Sequence, residues 1–562
     1  MMAVIESVEF NNRTPDKLNE LKYGKNWPVV YILNNDKEAY IGETINAVIR
    51  SSQHLKTKER KKLKHLNLIS DDDFNRSVIL DLEAFLINYM SADGKYKLQN
   101  SNMGVHLHDY YERDKYEKTF DGIWRQLRER QLIANSIHYI ENTDTFKYSP
   151  YKALNLDQYR VVDAIIQDLV DIKNTNKMFT TIIDGGAGTG KTVLAIYLMK
   201  LLSEAGDDIV VMDTEIDPGL HYIAHNLSKL ESMKIGLVVP MQSLRYTIKK
   251  VFGSIKGLKR NMVLSPYDVV KTEEPYDLLI VDEAHRLQQR KALSNYTTFD
   301  KNNEKLGFDQ NGTQLDWILK CSKNQIFFYD SMQSVKPSDV KRQRFYQMKE
   351  QENTNVYCLM SQFRCRGGNS YIKYIKELLS DHPPRTAKTI ENYEFRLFED
   401  VNDMVNAIRS KDEEHGLCRV VAGYSWKWLS KKTKDRNDIF IDGYAYMWNS
   451  VNKDWVNSEN AINEIGCIHT VQGYDLNYAG VILGNEIKYD PQTKSISIDK
   501  KNYFDLQGKT SLEDEGALKS YIINIYLTLL TRGIKGTYVY ACDENLRNYL
   551  KKFIPLYQHY NL

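Results

Sequence analysis

Cysteine is scarce and scattered in this chain. Cys321, Cys358, Cys365, Cys418, Cys467 and Cys542 are six in 562 residues, with no C-x-x-C pair and no zinc-ligand spacing. That pattern suits a reducing cytoplasm. No run of about eighteen apolar residues is present, and no basic-then-apolar leader opens the chain, so neither membrane spanning nor export is expected. A strong charge bias is missing too: the net charge is +2, so any nucleic-acid surface must be local. One candidate is Lys58-Glu-Arg-Lys-Lys-Leu-Lys64, although a solvated helix face is the simpler explanation of that run. With 42% apolar and 27% charged residues, the composition is that of soluble globular protein, long enough for about three domains.

What the sequence does contain is a phosphate loop. Thr180-Thr-Ile-Ile-Asp-Gly-Gly-Ala-Gly-Thr-Gly-Lys-Thr192 passes from a β-branched strand through a glycine-rich turn into a helix. Val193, Leu194, Ile196, Tyr197, Leu201 and Leu202 then recur at helical spacing. Gly185 to Thr192 fits G-x-x-x-x-G-K-[ST], with Gly185, Gly188 and Gly190 letting backbone N–H groups curl around a phosphate. Lys191 would reach the β- and γ-phosphates of ATP and the Thr192 hydroxyl would hold Mg²⁺. The bland alternative is a tight turn with an incidental lysine; the apolar strand and amphipathic helix on either side argue against it.

The first 26 residues read as polar and irregular. Trp27-Pro-Val-Val-Tyr-Ile-Leu33 and Ala39-Tyr-Ile-Gly42, joined by a polar turn, predict a hairpin. A helix capped by Thr44 or Asn46 should follow, placing Arg50 and His54 on one face. A second helix, from about Val78 to Met90, carries the stripe Ile79, Leu82, Leu86 and Tyr89, with Glu83 beside it. A carboxylate buried there needs a cation, a hydrogen bond or a metal.

These residues resemble the GIY-YIG nuclease family over about residues 27 to 103. Tyr40-Ile41-Gly42 is the second triplet, and Val29-Val30-Tyr31 is a degenerate first one with Val29 in place of glycine. Arg50, Glu83 and an asparagine, Asn100 or Asn102, follow in the family's order. The resemblance implies phosphodiester hydrolysis on one divalent metal, Mg²⁺ or Mn²⁺. Glu83 would ligate it and Arg50 would offset charge on the scissile phosphate. Tyr31 would act as phenolic base or water-positioner, with Tyr40 beside it and His54 assisting. A tyrosine ordinarily ionises near pH 10, so that role needs the metal or Arg50 close by. Taken singly, each of these residues is more often a packing or ion-pairing residue; order and spacing carry the resemblance.

From about Gly104 to Tyr148 the chain reads as a connector, with Gly122 to Arg130 helical. Gln158, about thirty residues before the phosphate loop, offers an amide suited to an adenine edge. Asp277-Leu-Leu-Ile-Val-Asp-Glu-Ala-His285 is a buried-type strand ending in two acids. Asp282 would hold Mg²⁺ through water and Glu283 would align or deprotonate the attacking water. Gln325 to Gln333 is another such strand, with Gln333 placed to sense the γ-phosphate. Val238 to Arg245 and Met262 to Pro266 read as strand ends with loops suited to phosphate backbones. Leu359-Met-Ser-Gln-Phe-Arg364, Ile468-His-Thr-Val-Gln-Gly-Tyr474 and Leu527-Thr-Leu-Leu-Thr-Arg532 complete the order.

Over about residues 150 to 545 this ordered set resembles superfamily 1 helicases, and most closely the Schlafen group 3-like DNA/RNA helicase family. The resemblance implies two RecA-type domains with ATP between them. Arg364 and Arg532 would serve as arginine fingers, and His469, Thr470 and Gln472 would couple nucleotide state to the bound strand. Only about a hundred residues separate Gln362 from His469, which leaves no room for a large accessory domain and puts processive unwinding in doubt.

The expected architecture is α/β: an extension (1–26), a small GIY-YIG domain (27–103), a connector (104–149) and two RecA-type parallel-sheet domains (150–350 and 351–562). The expected activity is metal-dependent cutting of DNA under ATP control, in defence against foreign DNA such as phage genomes. A non-catalytic N-terminal module on an ATP-dependent helicase or switch, acting in repair or on RNA, is the alternative. DNA is the expected partner, with RNA left open. Because that nuclease family cuts one strand per site, a double-strand break would need a homo-oligomer or two events.

Overall fold

The computed structural model describes residues 3–100, 110–152, 154–175, 178–186, 188–205, 223, 225–293, 295–330, 333, 338–359, 365–430, 436–451, 454–471, 474–505 and 515–558. Its contacts divide it into two units. The first is Met1–Met178, Thr192–Leu237 and Ile248–Val263; the second is Phe179–Lys191, Val238–Thr247 and Leu264–Leu562.

In the first unit, five strands form one sheet: β1 (Val4–Glu9), β2 (Lys25–Asn34), β3 (Glu38–Asn46), β4 (His65–Ser70) and β5 (Lys97–Leu98), in the order β1-β4-β2-β3-β5. The hairpin β2–β3 is antiparallel, with Tyr31 opposite Gly42 and Leu33 opposite Tyr40. Its turn is held by Asn35, whose Oδ1 accepts from the Lys37 and Glu38 backbone N–H groups. Val29 to Leu33 are all buried, so over that run neither face of β2 meets solvent. The irregular reading of the first 26 residues is overturned. β1 pairs antiparallel with β4, and the helix Thr14–Glu20 follows it, burying Leu18. An edge strand needs few apolar residues: Ile5 is buried while Val4 faces solvent, too short an alternation to stand out against Glu6, Ser7 and Glu9.

The helix Ala47–His54 starts at Asn46, whose side chain accepts from the Ile49 N–H. The helix Arg76–Asp93 is capped by Asn75 and ends at Gly94; it packs on β2, β3 and β5. Against it lies Arg113–Glu129, part of the expected connector. Its Trp124 ring meets Phe85 and Tyr89 edge-on at 5.8 and 5.6 Å. The aromatics of this segment therefore serve the core.

β6 (Thr180–Gly185), of the second unit, is an inner strand of a six-stranded sheet and runs parallel to both of its neighbours. β7 (Ile235–Val238), β8 (Val263–Leu264), β9 (Tyr276–Val281), β10 (Ser322–Tyr329) and β11 (Thr354–Leu359) complete the order β11-β6-β10-β9-β7-β8. β11, beyond the expected division at residue 350, pairs with β6 and belongs to this sheet. The strands read as unbroken apolar runs because helices cover them: Leu315, Ile318 and Phe345 pack on Ile182, Leu279 and Phe327.

A second sheet uses β12 (Glu394–Leu397), β13 (Arg419–Ala422), β14 (Ile439–Ile441), β15 (Tyr444–Trp448), β16 (Glu464–Cys467) and β17 (Leu476–Leu483). The hairpin β18 (Ile487–Asp490) and β19 (Ser495–Ile498) comes next, and β20 (Gly533–Ala541) returns to the sheet. Its order is β12-β20-β17-β13-β16-β15-β14, parallel except at the edge pair β14–β15. Five of these strands come from between Gln362 and His469, so that stretch is consumed by the core domain, as its length requires. Among the described residues no helix is long and apolar enough to cross a membrane.

Candidate functional site

The parallel order puts the carboxyl ends of β6, β9 and β10 side by side, where ligands of open α/β sheets bind. After β6 the chain turns through Gly188 (φ 79°) and Gly190 (φ 81°), left-handed values that a side chain would strain. The helix Lys191–Ser203 follows directly, with Thr192 as its second residue. Lys191 is buried, and its Nζ donates to the carbonyls of Gly185 (2.6 Å) and Gly186 (2.8 Å). The ammonium thus sits inside the curl of the loop, beside a helix N-terminus suited to phosphate.

Asp282 ends β9 fully buried, and its Oδ1 accepts from the Glu283 N–H at 3.0 Å. Glu283 holds φ 51°, a left-handed value that costs a non-glycine residue about 1–2 kcal/mol. Its carboxylate lies 2.9 Å from His285 Nε2. Burial pushes the Glu283 carboxyl up, but the nearby His285, Lys191 and Arg286 outweigh it and hold the group ionised, below the usual range.

Between the two sheets runs a buried polar chain. Lys191 Nζ lies 3.4 Å from Asp330 Oδ2, at the end of β10. The same oxygen accepts from Gln333 Nε2 at 2.6 Å. Gln333 Oε1 is 3.5 Å from Arg532 Nη2, and Arg532 Nη1 donates to the Tyr474 carbonyl at 3.3 Å. Arg532 is 1% exposed. Lys191, Gln333 and Arg532 were expected at the site; Asp330 was missed. The signal was available, since Asp330 is the acid that follows the apolar run of β10, as Asp282 follows β9. Arg364 and Gln472 lie outside the described residues.

Gln158 has a local task. It forms a reciprocal cap with Asn155 at the start of helix Leu156–Thr175, accepting from the Asn155 N–H at 3.2 Å while its own N–H donates to Asn155 Oδ1.

A groove of about 690 Å³ opens among the loops after β7, β8, β13 and β16. Met241, Ser243, Arg245, Tyr267, Tyr424, Trp428, His469 and Thr470 line it. The Arg245 guanidinium braces the loop after β7, donating to the Val239 carbonyl at 2.6 Å. Thr470 Oγ1 donates to the Cys467 carbonyl at 2.9 Å, pinning the turn that presents His469. The groove therefore presents hydroxyls and aromatic faces, with the Arg245 guanidinium committed to the backbone of its own loop.

In the N-terminal sheet, Tyr31 and Tyr40 lie on adjacent strands with ring centres 6.3 Å apart, and the His54 ring meets both at 5.6 and 5.0 Å. Arg50 Nε donates to the Tyr31 hydroxyl at 3.3 Å, and that hydroxyl lies 2.7 Å from His54 Nε2. Burial, then the charges of Arg50 and Arg60, lower the His54 pKa to about 3, so the ring is neutral. Asn100 clamps the Tyr40-Ile41-Gly42 strand, accepting from the Ile41 N–H at 3.0 Å and donating to its carbonyl at 2.8 Å. Asn102 lies outside the described residues. Glu83 is half-buried on the helix that packs against β2 and β3. Among the described residues no group of three or more His, Cys, Asp or Glu converges as a metal cluster.

A phosphate loop after an inner parallel strand, two acids following another strand of the same sheet and a second, mostly parallel sheet fit a helicase-like ATPase. Residues 179–543, well over half the chain, match the Schlafen group 3, DNA/RNA helicase domain family, and the chain belongs to that family. A Saccharomyces cerevisiae protein, the uncharacterized YPL245W, is 26% identical over 406 residues, covering 66% of this chain and 83% of its own. Among solved structures, a Pif1 helicase described as unwinding forked duplex DNA aligns over 66% of this chain and 91% of its own, at 11% identity and TM-score 0.27. A Bacteroides Pif1 helicase bound to ADP-AlF3 and single-stranded DNA aligns over 70% and 94%, at 11% identity and TM-score 0.25.

Proposed function

We propose that this chain is a DNA-cutting enzyme whose N-terminal domain hydrolyses phosphodiesters and whose C-terminal ATPase controls when it does so. The observation that carries the nuclease half is the Tyr31 hydroxyl, held between Arg50 and His54. Arg50 donates to the phenolic oxygen, and His54 Nε2 shares a second hydrogen bond with it in which either atom can be the donor. With its pKa lowered to about 3 the His54 ring is a hydrogen-bonding support for Tyr31 and not its proton acceptor, so Tyr31 serves to position the attacking water beside Arg50. Arg50 also supplies a guanidinium for the scissile phosphate. Glu83 is the residue that would hold the metal; coordination through one carboxylate suits Mg²⁺, which keeps several of its waters, and Mn²⁺ can replace it. Such an ion, when bound, polarises the phosphoryl oxygen.

In the motor, Lys191 and the loop N–H groups bind the triphosphate, and Thr192 and Asp282 are the donors for its Mg²⁺. The ionised Glu283 aligns the attacking water, and Arg364 and Arg532 balance charge on the phosphoryl oxygens. Gln333, between Asp330 and Arg532, reports the state of that site to the groove lined by His469 and Thr470, and Gln472 shares their coupling role. Gln158 stands for the adenine contact. Use in defence against foreign DNA rests on the fused architecture alone.

The deciding experiment offers matched DNA and RNA with Mg²⁺, with and without ATP. Metal-dependent DNA cleavage that disappears in Tyr31→Phe and Glu83→Gln while nucleic-acid-stimulated ATPase persists supports the reading. A wild-type protein that hydrolyses ATP but cuts neither polymer leaves the N-terminal domain as a binding module. Cutting unchanged in Lys191→Ala removes ATP control.

A further inference from the structure

The lysine run noted in the sequence has a definite place in the fold. Lys56, Lys58, Lys61, Lys62 and Lys64 are all exposed, within nine residues of chain that lead from the His54 helix into β4. Among the described residues none of the five forms an ion pair, and Glu59, half-buried, is the single acid in the run. On a chain with net charge +2 this is a concentrated patch of one sign.

The segment is not a loose loop. Arg60 at its centre is 4% exposed and points inward, its guanidinium 3.8 Å from the centre of the Tyr40 ring. Arg60 Nη1 donates to Gln99 Oε1 at 2.7 Å, and Gln99 Nε2 donates to Glu38 Oε2 at 2.9 Å. Leu63 is buried beside it, and the Asn35 side chain donates to the Lys62 carbonyl. The Lys64 N–H and carbonyl pair with the Asn34 carbonyl and the Phe10 N–H at 2.9 and 2.7 Å. Inward-facing Arg60 and Leu63 between outward-facing lysines make a rigid shelf that abuts the tyrosine pair.

We propose that this shelf docks the sugar–phosphate backbone of duplex DNA and sets its register on Tyr31 and Tyr40, with Arg60 as the keystone between shelf and site. It rests on the nuclease reading for what happens next, but the docking itself does not need catalysis. Lysines act here as point charges on phosphates and read no base, so the contact is independent of sequence and sensitive to salt.

The test is lysine footprinting of the full chain with an amine-acylating reagent, read by mass spectrometry, with and without a short DNA duplex. Glu83→Gln is used so that the duplex stays intact. Protection of these five lysines that fades as salt rises is expected. In Lys61→Glu/Lys62→Glu, with an unchanged circular dichroism spectrum, protection of Lys56, Lys58 and Lys64 should require about tenfold more duplex. Equal acylation with and without DNA overturns the proposal. Protection by phosphatidylserine vesicles but not by duplex overturns it as well. Because footprinting does not depend on cutting, a shelf that is protected in a protein that never cleaves DNA would defeat the nuclease reading and leave the shelf standing.

Discussion

Arg532 and Gln333 lie 199 residues apart in the chain, yet Arg532 Nη2 stands 3.5 Å from Gln333 Oε1 with both side chains buried. This contact joins the loop after β10 to the turn before β20. Because Gln333 also donates to Asp330, and Asp330 faces Lys191, a change at the phosphate loop has a physical route to the second sheet.

Arg532→Lys keeps the charge and loses the planar fork. Its kcat for ATP should fall by about 10²-fold or more, with nucleotide affinity changed little. Steady-state ATPase beside equilibrium binding of a fluorescent nucleotide separates the two. Gln333→Ala should lower mainly the stimulation by nucleic acid, and a full loss of basal hydrolysis would contradict the coupling role.

Asp330→Ala strands Lys191 and Gln333 in a buried site and should cost about 3 kcal/mol of stability. Asp330→Asn preserves an acceptor for Gln333 and should cost about 1 kcal/mol. Denaturant midpoints of the two variants, measured side by side, give the difference.

Gly42→Ala tests the tyrosine pair. A Cβ built on Gly42 would fall 2.3 Å from the Tyr31 hydroxyl oxygen, so the phenol must leave His54 and Arg50. DNA cutting should be abolished, with about 1–3 kcal/mol of overpacking strain and no effect on ATP hydrolysis. Retained cleavage would mean that the phenol is not needed where it stands.

His54 has a pKa lowered to about 3 in the fold against about 6.5 unfolded. Between those values the unfolded chain takes up a proton that the folded chain refuses. The stability is therefore present above pH 6.5 and is lost as pH falls, by about 1.4 kcal/mol per pH unit from this group. In His54→Gln the slope of stability against pH should be shallower over that window. An imidazole C–H resonance of His54 that titrates near pH 6 would contradict the burial argument.

How much of this was legible depended on the range of the interaction. Gly188, Gly190 and Lys191 were readable because the loop's geometry is written in consecutive residues. Asn46 was readable as a cap because its partner, the Ile49 N–H, is three residues away. β1 was not, because an edge strand takes its hydrogen bonds from β4, some sixty residues on, and needs little apolar content of its own. Gln158 was singled out for its amide, and the fold gives that amide oxygen a helix cap.

Alone, then, the amino-acid order determined the phosphate loop, the acid-ended strand β9, the hairpin and the two helices behind it. Each is governed by glycine torsions, alternating burial or capping within a few residues. Tertiary structure alone decided that Asp330 faces Lys191, that Arg532 meets Gln333 and that Arg60 lies over Tyr40. Those contacts exist because parallel strand order and chain reversal bring distant side chains into one dry space, and no local spacing encodes which of many charged residues will arrive there.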